Sequence, residues 1–312
     1  MIPAHNAAAT IGAALESVLW QTISDLEVIV VDDGSTDETA AIVSAHSDPR
    51  IRTLRQEQQG QSAARNHGIG EAAAPLVALL DADDVLFPDY LRSSLAVWRV
   101  SGGIVTSNAY WLYPGGIDPR QVRHPRRLPR PPEQRRSLLE QNWVSPMSLF
   151  PSTLVTELGG FDTRLRHLED WDFWLRAVYA GWVVHSQPRP LALFNRSQPS
   201  MSTVRASMVA AERDLFERMR ERPDLKTPER AYVELRLASP SPVELIARAE
   251  QWIAEGEYHQ ASGALRQAAA LCPTDRALVA KARALRAAPG ATGRLLRRRS
   301  ERRAALQTTT AR

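Results

Sequence analysis

Through its first ninety residues the chain alternates short continuous apolar runs with segments whose apolar positions recur every three or four residues. Residues 26–31 (LEVIVV) form a run of the length expected for a strand buried on both faces, and Ile11, Leu15, Val18 and Leu19 before it share one face of a helix over 11–21. The same spacing predicts a helix over 37–45, a short strand over 51–55, a helix over 62–73 that Pro75 stops, and a strand starting at Leu76. Such alternation predicts an α/β architecture, a mostly parallel sheet flanked by helices, with ligands held beyond the carboxyl ends of the strands. Two strands end in acid at that edge, the first in Asp32 and Asp33, the second in Asp81, Asp83 and Asp84.

The pattern changes twice further on. Residues 113–136 are so rich in proline and arginine that they read as an exposed loop, with neither helix nor strand. From Val243, after Pro240 and Pro242, alanine, leucine, glutamate and arginine return at helical spacing. Leu245, Ala249, Trp252, Gly256, Tyr258, Ala261, Leu265, Ala268 and Pro273 resemble one tetratricopeptide repeat, and Leu278, Ala282 and Leu285 line a further helix. A single repeat cannot bury its own apolar face, so these helices are expected to pack on the rest of the chain or on a protein partner.

Composition narrows the function classes. With 312 residues and 44% apolar content there is ample material for a core and an appendage. The formal charge of +4 is carried by arginine, Lys226 and Lys281 being the only lysines, and concentrates in residues 120–136 and 294–303. Neither cluster is interleaved with aromatics for base stacking, so nucleic acid is not the expected partner; two local clusters fit anionic phosphates, lipid head groups or plain solubility equally well. Cys272 is the sole cysteine, which excludes an intramolecular disulfide and fits a reducing compartment. No apolar run is long enough to cross a bilayer and no signal segment opens the chain. The expected location is the cytoplasm, with the basic tail able to touch the inner face of a membrane.

Carboxylates packed as closely as Asp81, Asp83 and Asp84 repel one another, and a divalent cation would relieve that repulsion; a solvated acidic turn is the plain alternative. In the other acidic stretch (DDGSTD) Gly34 permits a tight turn, and a carboxylate there can accept a ribose hydroxyl or a base N–H. There is no GxGxxG after the first strand and no Walker A sequence, which disfavours a dinucleotide fold and a P-loop.

PAHN at Pro3, SVLWQT, VVDDGSTDET, QGQSAARNHGI, LLDADDVLFPDYL, GGFDTRL at Gly159 and EDWDFWLR at Glu169 together resemble, in order, the motif blocks of family 2 glycosyltransferases. The resemblance covers roughly the first two thirds of the chain. It implies a GT-A fold with a C-terminal α-helical appendage, an inverting transfer from a nucleotide sugar, UDP-linked by preference, and a carbohydrate or lipid-linked acceptor. Pro3, Ala4 and His5 then match the loop at the nucleobase, Asp33 the acid at the uracil or ribose, and Arg65 a basic contact to nucleotide or diphosphate. Asp81 and Asp83 match the DxD pair that holds Mg²⁺ or Mn²⁺, Asp170 the general base, and Arg196 a diphosphate contact, with Gln198 standing where the family often has histidine. The segments implied are a transferase domain over 1–205, a helical linker over 206–242, the repeat-like helices over 243–288 and a basic flexible tail over 289–312. The family's first strand looks almost wholly missing before Pro3, which points to a natural start upstream. A catalytically impaired sugar-nucleotide-binding or scaffolding protein, acting through its helical end, is the alternative function.

Overall fold

The computed structural model describes residues 1–113, 116–124, 128–187, 189–196, 205–273 and 275–298. They divide into two compact units, residues 1–135 with 142–198 and residues 136–141 with 199–312.

In the first unit, β1 (Ile2–Ala4), α1 (Ile11–Leu19), β2 (Val28–Asp33), α2 (Thr39–Ser44), β3 (Ile51–Gln56), α3 (Gln61–Gly70) and β4 (Leu76–Ala78) follow in the expected alternation. Strands β1, β2 and β3 pair in parallel, with Ile2 opposite Val30 and Val28 opposite Ile51. All six residues of β2 are buried, the physical reason that its first four, Val28 to Val31, form an unbroken apolar run. The first strand is thus present, over three residues; Met1 extends it by donating to the Ala78 carbonyl and accepting from Leu80 N, which sets β4 beside β1.

Next come β5 (Val85–Leu86), α4 (Tyr90–Ser101), β6 (Ile104–Thr106), β7 (Tyr110–Tyr113), β8 (Gly116–Val122), α5 (Pro131–Glu140), β9 (Ser148–Pro151), α6 (Ser152–Leu158), α7 (Glu169–Tyr179), β10 (Val184–Ser186) and β11 (Ala192–Asn195). Here the sheet is mixed: β9 runs antiparallel between β4 and β6, while β10 is parallel to β6. A smaller sheet orders β5, β11, β7 and β8. The stretch read as a loop without regular structure therefore holds a strand and a helix. Strand β8 is an edge strand, where proline removes no ladder bond, and α5 opens on Pro131 and Pro132, where a helix has N–H groups without partners anyway. Trp174 is fully buried and packs edge-on against Phe150.

The second unit contains α8 (Arg205–Arg220), α9 (Thr227–Ala238), α10 (Pro242–Glu255), α11 (Tyr258–Leu271) and α12 (Arg276–Ala287). Helix α10 starts on a capping box, Ser241 with Glu244, and ends on Gly256 in the left-handed conformation. The repeat-like residues Leu245, Ala249, Ala261, Leu265 and Ala268 do share one core, but Leu278, Ala282 and Leu285 of α12 close it. The stretch expected to be a linker supplies two packed helices: Arg236 on α9 is ion-paired with Glu212 on α8 and donates to the Tyr232 hydroxyl at 2.8 Å. Residues 289–298, expected to begin a frayed tail, are helical. The tail beyond 298 and Gln198 lie outside the described residues. Among the described residues no helix is long and apolar enough to cross a membrane.

Candidate active site

The acidic ends of the strands meet a set of donors that come from distant motifs. Asp33, at the end of β2, is buried, and its Oδ1 accepts from Gln56 Nε2 and Gln59 N while Oδ2 accepts from Gly60 N, each at 2.8 Å. It therefore shapes the 56–60 turn. His5 lies against the same strand end, its Nδ1 at 2.8 Å from the Asp33 carbonyl and its Nε2 at 3.0 Å from Gln58 Nε2. Nδ1 thus faces an acceptor, the carbonyl, and Nε2 faces a donor, the Gln58 amide. Pro3 and Ala4 are buried within β1, so of the three first-loop residues only His5 is exposed. Gly34 turns the chain at φ +70°, and a Cβ there would lie 2.8 Å from Gln58 N; only glycine lets the two loops approach.

Arg65 is the hub. Its guanidinium is 1% exposed and donates to Asp81 Oδ1 at 2.9 Å and to Glu169 Oε1 at 2.8 Å. Burial opposes its charge, but Asp81 and Glu169 outweigh that, and the guanidinium stays firmly ionised. Burial pushes the Glu169 carboxyl upward against the pull of Arg65, with Asp170 adding to the rise. Gln61 Nε2 makes a further bond to Asp81 Oδ1 at 2.9 Å. One residue later on α3, Asn66 donates to the Phe161 carbonyl and accepts from its N–H, both at 2.8 Å. Phe161 in turn stacks on Phe173 with ring centroids 4.1 Å apart, and Arg65 lies over its ring at 5.4 Å. The ARN, GGF and EDWDF blocks are thus one assembly in space.

That assembly explains Gly160. It sits at φ +84°, and a Cβ would lie 2.8 Å from Asn66 Oδ1. Gly160→Ala should lose about 1–3 kcal/mol from the left-handed backbone and the displaced Asn66, read as a lower urea midpoint. Asn66→Ala, which removes the clash partner, should recover part of the loss when combined with it.

Asp83 follows Asp81 into the crevice, and burial together with the Asp81 charge pushes its carboxyl up to about 6. Asp84 is 2% exposed; its Oδ1 accepts from Asn195 N at 2.9 Å, whereas its buried Oδ2 has no donor among the described residues. Burial and its two acidic neighbours raise it well above the ordinary carboxylate range. Among the described residues no three His, Cys, Asp or Glu side chains converge on one point as a protein-only metal cage. A hard cation fits nonetheless, because Mg²⁺ and Mn²⁺ commonly take one or two carboxylates and complete their shell with water and substrate phosphate. The observation that suits such an ion is the donor set itself: Asp81 and Asp83 two residues apart at the strand end, beside a buried Asp84 Oδ2 that has no donor among the described residues.

Asp170 is the second residue of α7, whose N-cap, Leu168, adopts a left-handed backbone at φ +60°. Its carboxylate accepts from Asn142 Nδ2 at 3.0 Å and from Trp171 N at 2.7 Å. Arg123, which sequence patterns did not single out, lies near enough to these acids for its charge to act on them. Its guanidinium donates to Ser145 Oγ at 3.3 Å and lies 4.5 Å over the Phe194 ring, and its charge acts on Asp170, Asp84 and Asp81. Burial lowers its affinity for the proton, and those carboxylates hold it up. Arg196 is exposed and lies 4.8 Å over Trp111, which meets Phe194 edge-on. The structure therefore joins Asp81, Arg65, Glu169 and Asp170 by direct bonds and near neighbours, and places Asp33 with His5 at an adjoining strand end. Asn142 carried no signal, and Arg123 was only one of the arginines of the 120–136 cluster, with nothing in the pattern to set it apart.

By fold the protein is a GT-A glycosyltransferase-like α/β protein with a C-terminal helical region. Residues 1–150 match the family model described as Glycosyl transferase family 2, so this segment carries the family's sequence as its motif blocks indicated. Succinoglycan biosynthesis protein ExoO of Rhizobium meliloti is 46% identical over 93 residues, 30% of this chain and 27% of that protein. Chondroitin synthase of Escherichia coli is 40% identical over 100 residues, 31% of this chain and 15% of the relative. The chain thus spans less than a third of the length of these relatives. Among solved structures, S. aureus TarS 1–349 in complex with UDP-GlcNAc has a TM-score of 0.59 at 16% identity, covering 96% of this chain and 90% of that one. The mannosyltransferase PcManGT from Pyrobaculum calidifontis, in complex with GDP-Man and Mn²⁺, also has a TM-score of 0.59, at 20% identity over 95% of this chain and 85% of the other.

Proposed function

We propose that the chain is an inverting, metal-dependent glycosyltransferase that moves a sugar from a nucleotide diphosphate sugar, UDP-linked by preference, to an acceptor hydroxyl in polysaccharide or glycoconjugate synthesis. The observation that carries this is the Asp81–Arg65–Glu169 bridge, which brings the DxD segment and the Glu169–Asp170 pair to one buried guanidinium. An inverting transfer needs both at once: a diphosphate site on one side of the anomeric carbon and a proton acceptor on the opposite side. Asp170 supplies the acceptor. His5 and the 56–60 turn held by Asp33 form the wall for the nucleoside. Asp83, with Asp81 beside it, would hold Mg²⁺ or Mn²⁺, which when bound supplies positive charge for the departing diphosphate. Arg123 and Arg196 add fixed cations for anionic oxygens, and Arg65 acts by positioning Asp81 and Glu169, since both of its terminal nitrogens are engaged. Support for this reading comes from the donors bound in the two neighbouring folds and from the polysaccharides in the names of the two relatives.

The test is release of nucleoside diphosphate from a panel of UDP- and GDP-sugars, with and without acceptor saccharides. Turnover of one donor should need Mn²⁺ or Mg²⁺ and stop with chelator, and Asp83→Ala should raise the metal concentration for half-maximal rate at least about tenfold. Turnover indifferent to chelator would overturn metal dependence. Nucleotide binding without turnover of any donor would favour a binding or scaffolding role.

A further inference from the structure

We propose that Asn142 is a positioning residue for Asp170, a role that rests on the general-base reading above. Asn142 closely follows α5 and opens the 142–147 connection into β9. Its Nδ2 donates to Asp170 Oδ2 at 3.0 Å, while the other carboxylate oxygen accepts from Trp171 N at 2.7 Å. Two donors arriving on different oxygens fix the carboxylate plane, and each oxygen keeps a lone pair for the acceptor hydroxyl. Neither donor is a charged group. Glu169, Arg65 and Arg123 act on Asp170 electrostatically from α7, α3 and the residue after β8, but the bond that aims the oxygens comes from the Asn142 amide. Nor does that amide serve a second group: Asn142 Oδ1 is buried and has no hydrogen-bond partner among the described residues, which leaves the bond to Asp170 as the side chain's polar contact. Leaving a buried amide oxygen unsatisfied costs free energy that a leucine of similar shape would not incur. A purely space-filling role does not account for asparagine here; orienting Asp170 does.

The same connection places Ser145, whose hydroxyl accepts from Arg123 and from Met147 N. The 142–147 segment therefore aims a base with its first residue and supports a cation with its fourth. Both are delivered to the crevice by a stretch that carries no recognisable motif.

The experiment is a double-mutant cycle of Asn142→Ala and Asp170→Asn in the full chain, with nucleoside diphosphate release measured on whichever sugar nucleotide of the panel the parent turns over. Asn142→Ala should lower kcat about tenfold or more with the donor KM within about twofold, because an orientation that matters in the transition state is lost while donor contacts persist. On the Asp170→Asn background the same substitution should have almost no further effect. Asn142→Ser, which restores a short donor, should recover part of the rate, whereas Asn142→Leu should not. Equal losses on both backgrounds, or full activity in Asn142→Leu, would overturn the positioning role. Parent-like turnover in Asp170→Asn would instead overturn the general-base reading, and an Asn142 effect that persists there would show that it acts elsewhere.

Discussion

Asp170→Asn is expected to lower kcat by about 10²- to 10⁴-fold, the usual worth of a general base, with the donor KM nearly unchanged. The substitution is close to isosteric: its one oxygen can still accept from Trp171 N, and its new amide N–H can donate to Asn142 once the Asn142 amide turns its oxygen toward it, so the start of α7 should persist; circular dichroism and nucleotide affinity should match the parent. What is lost is the capacity to take a proton. A fall in rate below tenfold, with fold and affinity intact, would mean that another group removes the acceptor proton. Glu169 is the neighbour to test next, although its Oε1 is already bound to Arg65.

Arg65→Met should damage both stability and rate. It leaves Asp81 and Glu169 facing each other across a buried space without their shared cation, and removing one partner of a buried ionic cluster typically costs about 3–5 kcal/mol. The lower part of that range applies, because the Asp81 side chain is 19% exposed and water can reach it. Urea unfolding of the parent and the variant measures the effect. Arg65→Lys should recover only part of it, since a single ammonium does not present the two separate nitrogens that the guanidinium offers to Asp81 and Glu169. The combination of Arg65→Met with Asp81→Asn and Glu169→Gln should be more stable than Arg65→Met alone, because the stranded charges are then gone. An Arg65→Met protein as stable as the parent would contradict the ionic account of this core.

The two effects separate chemistry from scaffolding. Asp170 touches the crevice and should change rate alone, whereas Arg65 is enclosed and should change rate because it changes structure. If both variants lost rate with unaltered stability, Arg65 would have to contact substrate directly.

Much of the first unit was legible from the pattern of residues because its strands are buried on both faces and its helices on one, which forces distinctive periodicities. Strand β2 is the clearest case: the four buried positions Val28 to Val31 leave no room for a polar interruption before Asp32 and Asp33. The short β1, β4 and β9 were harder, since three or four residues carry little periodicity and their pairing is set by chain segments far away. Residues 113–136 misled for a different reason. Proline and arginine are poor in interior strands and helices, but β8 is an edge and the prolines of α5 fall in its first turn, positions where those penalties vanish. The helical end looked like a lone repeat because its small-residue pattern is local. That α8 and α9 belong to the same unit as α11 depends on contacts such as the Arg236 pair with Glu212 and the Tyr232 hydroxyl donating to the Leu271 carbonyl, which no local pattern encodes.

The amino-acid sequence by itself determined the alternation of strands and helices, the acids at the strand ends and the ordered motif blocks, because each is a property of neighbouring residues. Only the tertiary structure decided that Arg65 belongs to Asp81 and Glu169 instead of to open solvent, that Asp33 secures a turn, and that Asn142 and Arg123 face the acids. Those assignments depend on distances between groups up to 104 residues apart in the chain, and such distances follow from how the sheet is packed and crossed rather than from the residues on either side.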